Sequence, residues 1–327
     1  MKKHPLVTIC VPVYNGEKFI IDALESIKSQ TYTNFECHII NNASTDKTGE
    51  LAAKFVENDV RFILHSYDEF VDMIVNWNRS VHYISEESKY FLLVQADDII
   101  SPDCLKSHIT LMEKHPGAGI ASSFRMVGER IRGYGLDYFE GNYRKGKEML
   151  IKHLKGEVGV VGTISNDLYR VEHLKKLPFY PEIFIPEDFH FDSRLALEIL
   201  LISDLVFSFK ILSLTKKKHS ESATITFGRK FRTTLHAKEN RLNRFRQVFP
   251  ELDKDYFKVR RQYAFFMLMN YIKLDKRRIR WHKKQLLRKI RFPEYIAGII
   301  YENVIARTYF FIKQRYTPKL KANPVRN

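Results

Sequence analysis

Over the first 125 residues, short apolar runs alternate with apolar residues spaced three and four apart, a pattern that predicts strands separated by amphipathic helices. Leu6 to Val11 is a β-branched run, a buried strand stopped by Pro12. In Glu17 to Gln30 the apolar positions Phe19, Ile20, Ala23, Leu24 and Ile27 share one helical face. Phe35 to Ile40, Val60 to Leu64, Tyr90 to Val94 and Ala118 to Phe124 read as further strands. Helices are expected from the turn Asn42-Ala43-Ser44-Thr45-Asp46 to about Val56, over Phe70 to Ile84, and from Ser101 to about Lys114. In the last of these, Ser101 stands as N-cap and Pro102 at the first helical position. This βαβαβαβ order implies a mostly parallel sheet with helices on both faces.

From Arg125 to Gly162 the pattern weakens into a stretch with several glycines and aromatics and one helix near Lys145 to Lys155. Loops of this type commonly carry binding residues. Strand signals return at Ser165 to Arg170 and Leu205 to Leu214, and the second half of IFIPEDFHFDSRLALEIL between them is helical. Beyond about Phe227 only helical patterns remain, near Lys230 to Val248, Asp255 to Leu274, Lys276 to Ile290 and Glu294 to Arg315. The chain therefore divides into an α/β domain of residues 1–228 and a basic helical region of residues 229–327.

Composition adds a second reason for that division. The net charge of +16 is unevenly placed: residues 229–327 hold 27 Lys and Arg against 7 Asp and Glu, the rest 27 against 31. In the tail, Lys276-Arg277-Arg278 and Lys283 to Arg291 alternate with Ile279, Trp281, Leu286, Leu287 and Ile290, which makes a basic amphipathic helix. Such helices lie in the headgroup zone of anionic membranes, or pack their apolar face on a neighbouring domain with the cations solvated. No recognised nucleic-acid module accompanies the charge. The apolar run at the start is too short for a signal peptide, and Phe292 to Ile312 carries Glu294, Glu302 and Arg307, so no integral membrane segment is expected. Cys10, Cys37 and Cys104 are scattered without disulfide or metal spacing. The expected location is cytoplasmic, peripheral on the inner face of the cell membrane.

The densest chemistry follows the Tyr90 to Val94 strand, in QADDIISP. Adjacent carboxylates at the carboxyl edge of a parallel sheet repel one another unless a cation lies beside them, and hard divalent ions prefer oxygen ligands. Asp97, with Asp98 beside it, is the candidate ligand for Mg²⁺ or Mn²⁺ on a diphosphate. Tyr14, in the turn after the first strand, is placed either to stack on a nucleobase or to finish the core edge. Asn41 and Asn42 carry amides able to read a base or ribose edge, or to build the turn with Ser44. Asp46 is expected to complete that turn.

Four landmarks in order, PVYNG (Pro12 to Gly16), NNASTD (Asn41 to Asp46), QADD (Gln95 to Asp98) and PED (Pro186 to Asp188), resemble those of glycosyltransferase family 2, the inverting enzymes of the GT-A fold. The resemblance covers roughly residues 5–225. It implies a nucleotide-sugar donor site formed by Pro12, Tyr14, Asn41, Asn42, Gln95 and Asp97, with uracil the base stacked on Tyr14. It implies Asp188 as the base that deprotonates an acceptor hydroxyl, with Glu187 orienting it or touching the acceptor. His219, in KKKHSESAT, resembles a histidine following the same motif and is a further candidate metal ligand. A glycan or lipid-linked acceptor in surface polysaccharide synthesis is the family's habit. Two departures stand out: Asn41 and Gln95 occupy positions where the family usually has carboxylates. An amide hydrogen-bonds a nucleoside but holds metal less firmly, which implies another nucleotide, weaker metal dependence or lost catalysis. The rivals are a non-catalytic nucleotide- or membrane-binding relative and a metal-dependent nucleotidyltransferase, for which PVYNG is a poor phosphate loop.

Overall fold

The computed structural model describes residues 4–132, 141–158, 164–184, 191–215 and 240–260. The chain divides into two compact units, residues 1–229 and 230–327. In the first, β1 (Leu6–Val13), β2 (Phe35–Asn42), β3 (Phe62–Tyr67) and β4 (Ser88–Leu93) lie parallel in the order β3-β2-β1-β4. The near-continuous apolar runs of β1 and of Tyr90 to Leu93 in β4 are what a strand covered on both faces requires, whereas β3, at the sheet edge, is half exposed. Helices α1 (Ile20–Lys28), α2 (Thr48–Val56) and α3 (Met73–Val81) make the crossovers. In α1, Ile20, Ala23, Leu24 and Ile27 are buried, as their spacing predicts.

The sheet continues through β5 (Asp98–Ile100), β6 (Ala118–Val127), β7 (Arg130–Arg132), β8 (Tyr143–Arg144), β9 (Leu168–Arg170) and β10 (Asp204–Thr215). Beyond β4 the order is β9-β6-β10-β5, with β7 on β6 and β8 on β10. β9 runs antiparallel between β4 and β6, whereas β10 is parallel to β6. Helices α4 (Cys104–Lys114), α5 (Gly146–Lys155), the short α6 (Val171–Leu174) and α7 (Phe191–Ile202) complete this unit. A mostly parallel mixed sheet flanked by helices is the architecture the sequence implies.

Several boundaries differ from expectation for identifiable reasons. Val60, expected in a strand, is 97% exposed: the Asp59–Arg61 ion pair at 2.6 Å closes a turn first, and β3 begins at Phe62. Ser101 is not the N-cap of α4. That position is Asp103, without a side-chain cap bond. The free N–H of Leu105 is met instead by Oε1 of Gln30 (3.1 Å), whose Nε2 donates to the Ser101 carbonyl (2.7 Å). The cap comes from a residue 75 positions away. The expected strand from Ser165 opens as a 3-10 turn, Ile164–Asn166, because Asn166 and Asp167 turn their side chains onto β6.

Cys10, Cys37 and Cys104 are free and buried, and burial raises all three thiols. No helix among the described residues is long and apolar enough to cross a membrane. In the second unit, residues 240–245 and 253–260 are helical around a 3-10 turn, Pro250–Leu252. Arg246 pairs with Asp253 at 2.9 Å and lies over the Tyr256 ring.

His108 on α4 is fully buried, and neither ring nitrogen has a hydrogen-bond partner. Burial pushes its pKa down to about 4. Below the ordinary value near 6.5, the unfolded chain binds a proton that the folded chain refuses. Stability present above pH 6.5 is therefore lost as pH falls toward 4, by up to about 3 kcal/mol. His108→Leu should remove that share of the acid loss without lowering stability at pH 7.5. Denaturant melts at pH 7.5, 6 and 5 check it, and parallel pH profiles for the two proteins would refute it.

Candidate active site

Strand order reverses at β1, which has β2 on one side and β4 on the other. In open α/β sheets the crevice outside the carboxyl ends at such a point is where ligands bind. Register places the sequence motifs there: Val13 lies opposite Asn41, Asn41 opposite Ser66, and the Val94 N–H bonds the Cys10 carbonyl. Pro12, Tyr14, Asn41, Asn42 and Gln95 thus come to one sheet edge. Asp98 pairs in register with Thr215 at the carboxyl end of β10, on the same edge.

The first two motifs are locked together. The Asn15 N–H donates to Ser44 Oγ (3.0 Å), the Gly16 N–H to Thr48 Oγ1 (2.8 Å) and the Glu17 N–H to Asp46 Oδ2 (3.1 Å). In return the Thr45 N–H donates to Asn15 Oδ1 (2.8 Å) and the Lys47 N–H to Glu17 Oε2 (3.1 Å). Asn15 and Ala43 take positive φ, 50° and 54°, to make these meetings possible. Ser44, Thr45, Asp46 and Thr48 therefore build the turn. Burial raises the Asp46 carboxyl, but bonds from Thr48 and from the Glu17 backbone outweigh it and hold the group below the usual carboxylate range. Tyr14 projects from this rigid pair of loops with 47% of its surface exposed.

The two asparagines have different surroundings. Asn42 is almost fully buried, with both ends of its amide engaged: Nδ2 donates to the Val71 carbonyl (2.7 Å), and Oδ1 accepts from the Val71 N–H (3.1 Å) and from Arg79 (3.2 Å). The Arg79 guanidinium lies 4.0 Å from the Tyr67 ring centroid. Asn41 is more loosely held, with Nδ2 3.5 Å from Ser66 Oγ and Oδ1 3.3 Å from the Ser44 N–H. Asn41 thus keeps the more available amide, whereas Asn42 anchors the loop that follows β3.

The QADD turn rests on a buried polar layer. The Gln95 N–H donates to Ser165 Oγ (2.9 Å), and the Asp98 N–H to the Gln95 carbonyl (3.0 Å). Asn166 next to Ser165 bridges Ser123 (2.6 Å) and Ser213 (3.0 Å), and Asp167 accepts from Ser122 (2.5 Å). Asp97 is half-buried; Asp98 is 1% exposed and its Oδ1 has no hydrogen-bond partner. Burial first, then the Asp97 charge, raises the Asp98 carboxyl to about 6, against the pull of Ser165, Thr215 and Arg125. An orphaned buried carboxylate oxygen next to a second carboxylate fits a cation. Among the described residues, however, no group of three or more His, Cys, Asp and Glu gathers to hold one. Glu187, Asp188 and His219 lie outside the described residues.

Two contributors were not legible in the sequence. Ser165, beneath Gln95, has no motif signal, since a serine in an apolar stretch reads as strand. Phe70 reads as the start of a helix but stands in a loop, its ring centroid 4.6 Å from that of Tyr14.

The family model described as Glycosyl transferase family 2 matches residues 8–178. An uncharacterized glycosyltransferase of Haemophilus influenzae is 34% identical over 115 residues, 35% of this chain and 35% of its own length. Two solved structures share the fold. The mannosyltransferase PcManGT of Pyrobaculum calidifontis, in complex with GDP-Man and Mn²⁺, superposes with a TM-score of 0.59 at 14% identity, covering 96% of this chain and 85% of that one. S. aureus TarS 1-349, in complex with UDP-GlcNAc, gives 0.56 at 16% identity over 89% and 79%.

Proposed function

The chain belongs to glycosyl transferase family 2, and from that premise we propose that it is an inverting glycosyltransferase moving a sugar from a nucleoside-diphosphate sugar to an acceptor hydroxyl. The observation that carries the reading is the meeting of Tyr14, Asn41, Gln95 and the Asp97-Asp98 pair at one carboxyl edge, with a buried carboxylate oxygen left unsatisfied there. In this reading Tyr14 stacks on the base, and Asn41 hydrogen-bonds base or ribose. Asp97 and Asp98 face the diphosphate and would hold Mg²⁺ or Mn²⁺, with His219 as a further ligand. The bound ion would neutralise charge on the departing nucleoside diphosphate. Asp188 takes the proton of the acceptor hydroxyl. The hydroxyl oxygen then bonds the anomeric carbon as the bond from that carbon to the diphosphate oxygen breaks, inverting the centre; Glu187 orients the base.

UDP is the nucleotide we assign, on the resemblance of the PVYNG and NNASTD elements. The named donors in the two solved structures, GDP-Man and UDP-GlcNAc, support the broader class. The acceptor we assign is a glycan or lipid-linked chain in surface polysaccharide synthesis. The basic region would meet an anionic membrane face that presents such an acceptor.

Asp97→Asn tests the site. Outer-shell partners of a bound metal are worth about 10–100-fold in affinity, and a direct ligand should be worth no less. UDP affinity in Mn²⁺, measured by calorimetry, should fall at least about tenfold in the variant, and the gap should close in EDTA. Equal affinity of the two proteins in Mn²⁺ would remove Asp97 from the donor site.

A further inference from the structure

We propose that Phe70 is a second nucleobase-contacting residue, closing with Tyr14 into an aromatic clasp around the donor base, and that Asn42 is its positioning residue. The proposal rests on the donor-site reading above and adds the opposite wall of the base subsite.

Tyr14 and Phe70 are 47% and 52% exposed, and their rings touch at a centroid distance of 4.6 Å and a tilt of 55°. Singly exposed aromatics are ordinary on a protein surface; two in contact at the mouth of a ligand crevice form an apolar seat. Nothing local in the sequence brings them together. Tyr14 follows β1 and Phe70 follows β3, and β2 lies between those strands. The link is Asn42, the last residue of β2, whose amide closes both bonds with Val71, the neighbour of Phe70. Arg79 holds the same amide from α3. Phe70 is therefore carried by a short loop fixed at one point, while Tyr14 is held by the interlocked motif loops.

A base seated between two rings needs them about 7 Å apart, twice the van der Waals contact distance. The 4.6 Å contact is the closed pair. On donor binding the base displaces Phe70 from Tyr14, takes Tyr14 on one face, and Phe70 returns over the other. Each aromatic face contributes its own stacking energy, which is indifferent to base identity. Discrimination between bases falls to Asn41.

The test is binding of UDP and GDP to the full chain, by calorimetry, in the wild type and in Phe70→Ala, Phe70→Trp, Tyr14→Ala and Asn42→Ala. Phe70→Ala should weaken both nucleotides by about 5- to 100-fold with an unchanged melting temperature. Phe70→Trp should restore affinity, and its added fluorescence should change with UDP but not with inorganic pyrophosphate. Asn42→Ala should weaken UDP binding, and adding it to Phe70→Ala should weaken it no further. If Phe70→Ala binds UDP as the wild type does while Tyr14→Ala does not, the clasp is wrong and the donor site stands. If the wild type binds neither nucleotide, the donor-site reading fails and the clasp with it.

Discussion

Asp188→Asn should lower sugar transfer by about 10²–10⁴-fold, the range typical of a lost general base, and leave nucleotide affinity unchanged. The substitution keeps size and shape while removing the group proposed to accept the acceptor's proton. That proton is in flight only in the transition state, so the loss should fall on kcat and not on donor binding. The contrast with Asp97→Asn makes the pair informative, since there the loss should appear in metal-dependent UDP affinity. A general base acts only when ionised, so its titration sets the acid limb of the rate profile. The acid limb of the pH profile should accordingly disappear in the variant. Transfer from a UDP-sugar at wild-type rate would take Asp188 out of the mechanism and open the role to Glu187.

Gly146→Ala should destabilise the chain by at least about 4 kcal/mol, roughly 10–15 °C in melting temperature. A Cβ at this first residue of α5 would lie 1.8 Å from the carbonyl oxygen of Ser203 and 2.4 Å from that of Leu200. Both are backbone atoms, so no rotamer can relieve the clash, and α5 would have to back away from α7. The move would also break the bond from the Gly146 N–H to Asp204 Oδ1 (2.9 Å), which fixes the start of α5 beside β10. Gly119→Ala is the internal control. Its Cβ would meet Ser203 Oγ at 2.2 Å, which can rotate away, the Ser203 Cβ at 2.7 Å, which moves only with its backbone, and Ile199 Cγ2 at 3.0 Å, so the approach to fixed atoms is less close than at Gly146. It should therefore be the milder change. A Gly146→Ala protein melting within about 2 °C of the wild type would show that the α5–α7 crossing is looser than described.

The first half of the fold was legible because its central strands, β1 above all, are buried on both faces. A strand covered by helices on each side must be largely apolar, as β1 and the Tyr90 to Leu93 part of β4 are, and its crossover helix must show a one-sided stripe, as α1 does. The second half was less so. Asp98 to Ile100 reads as part of a turn, yet it forms β5, because the partner that makes it a strand is the end of β10, more than 100 residues downstream. Polar residues misled for a related reason. Asn42 and Asn41 are identical and adjacent, and no local rule separates the one fastened to Val71 from the one facing Ser66. Likewise Ser101 matches every capping preference, and Gln30, just past the end of α1, does that work.

The amino-acid order by itself determined the strand-helix succession, the motifs at the strand ends, and the concentration of cations in the last hundred residues. These follow from periodicity, turn chemistry and charge, which act over a few residues. Only the tertiary structure decided that Asp98 is buried with an unsatisfied oxygen, that Asn42 is a strut, and that Phe70 meets Tyr14. Each depends on which groups from distant segments share a low-dielectric space, and hydrogen-bond partners and desolvation are properties of that space and not of neighbours along the chain.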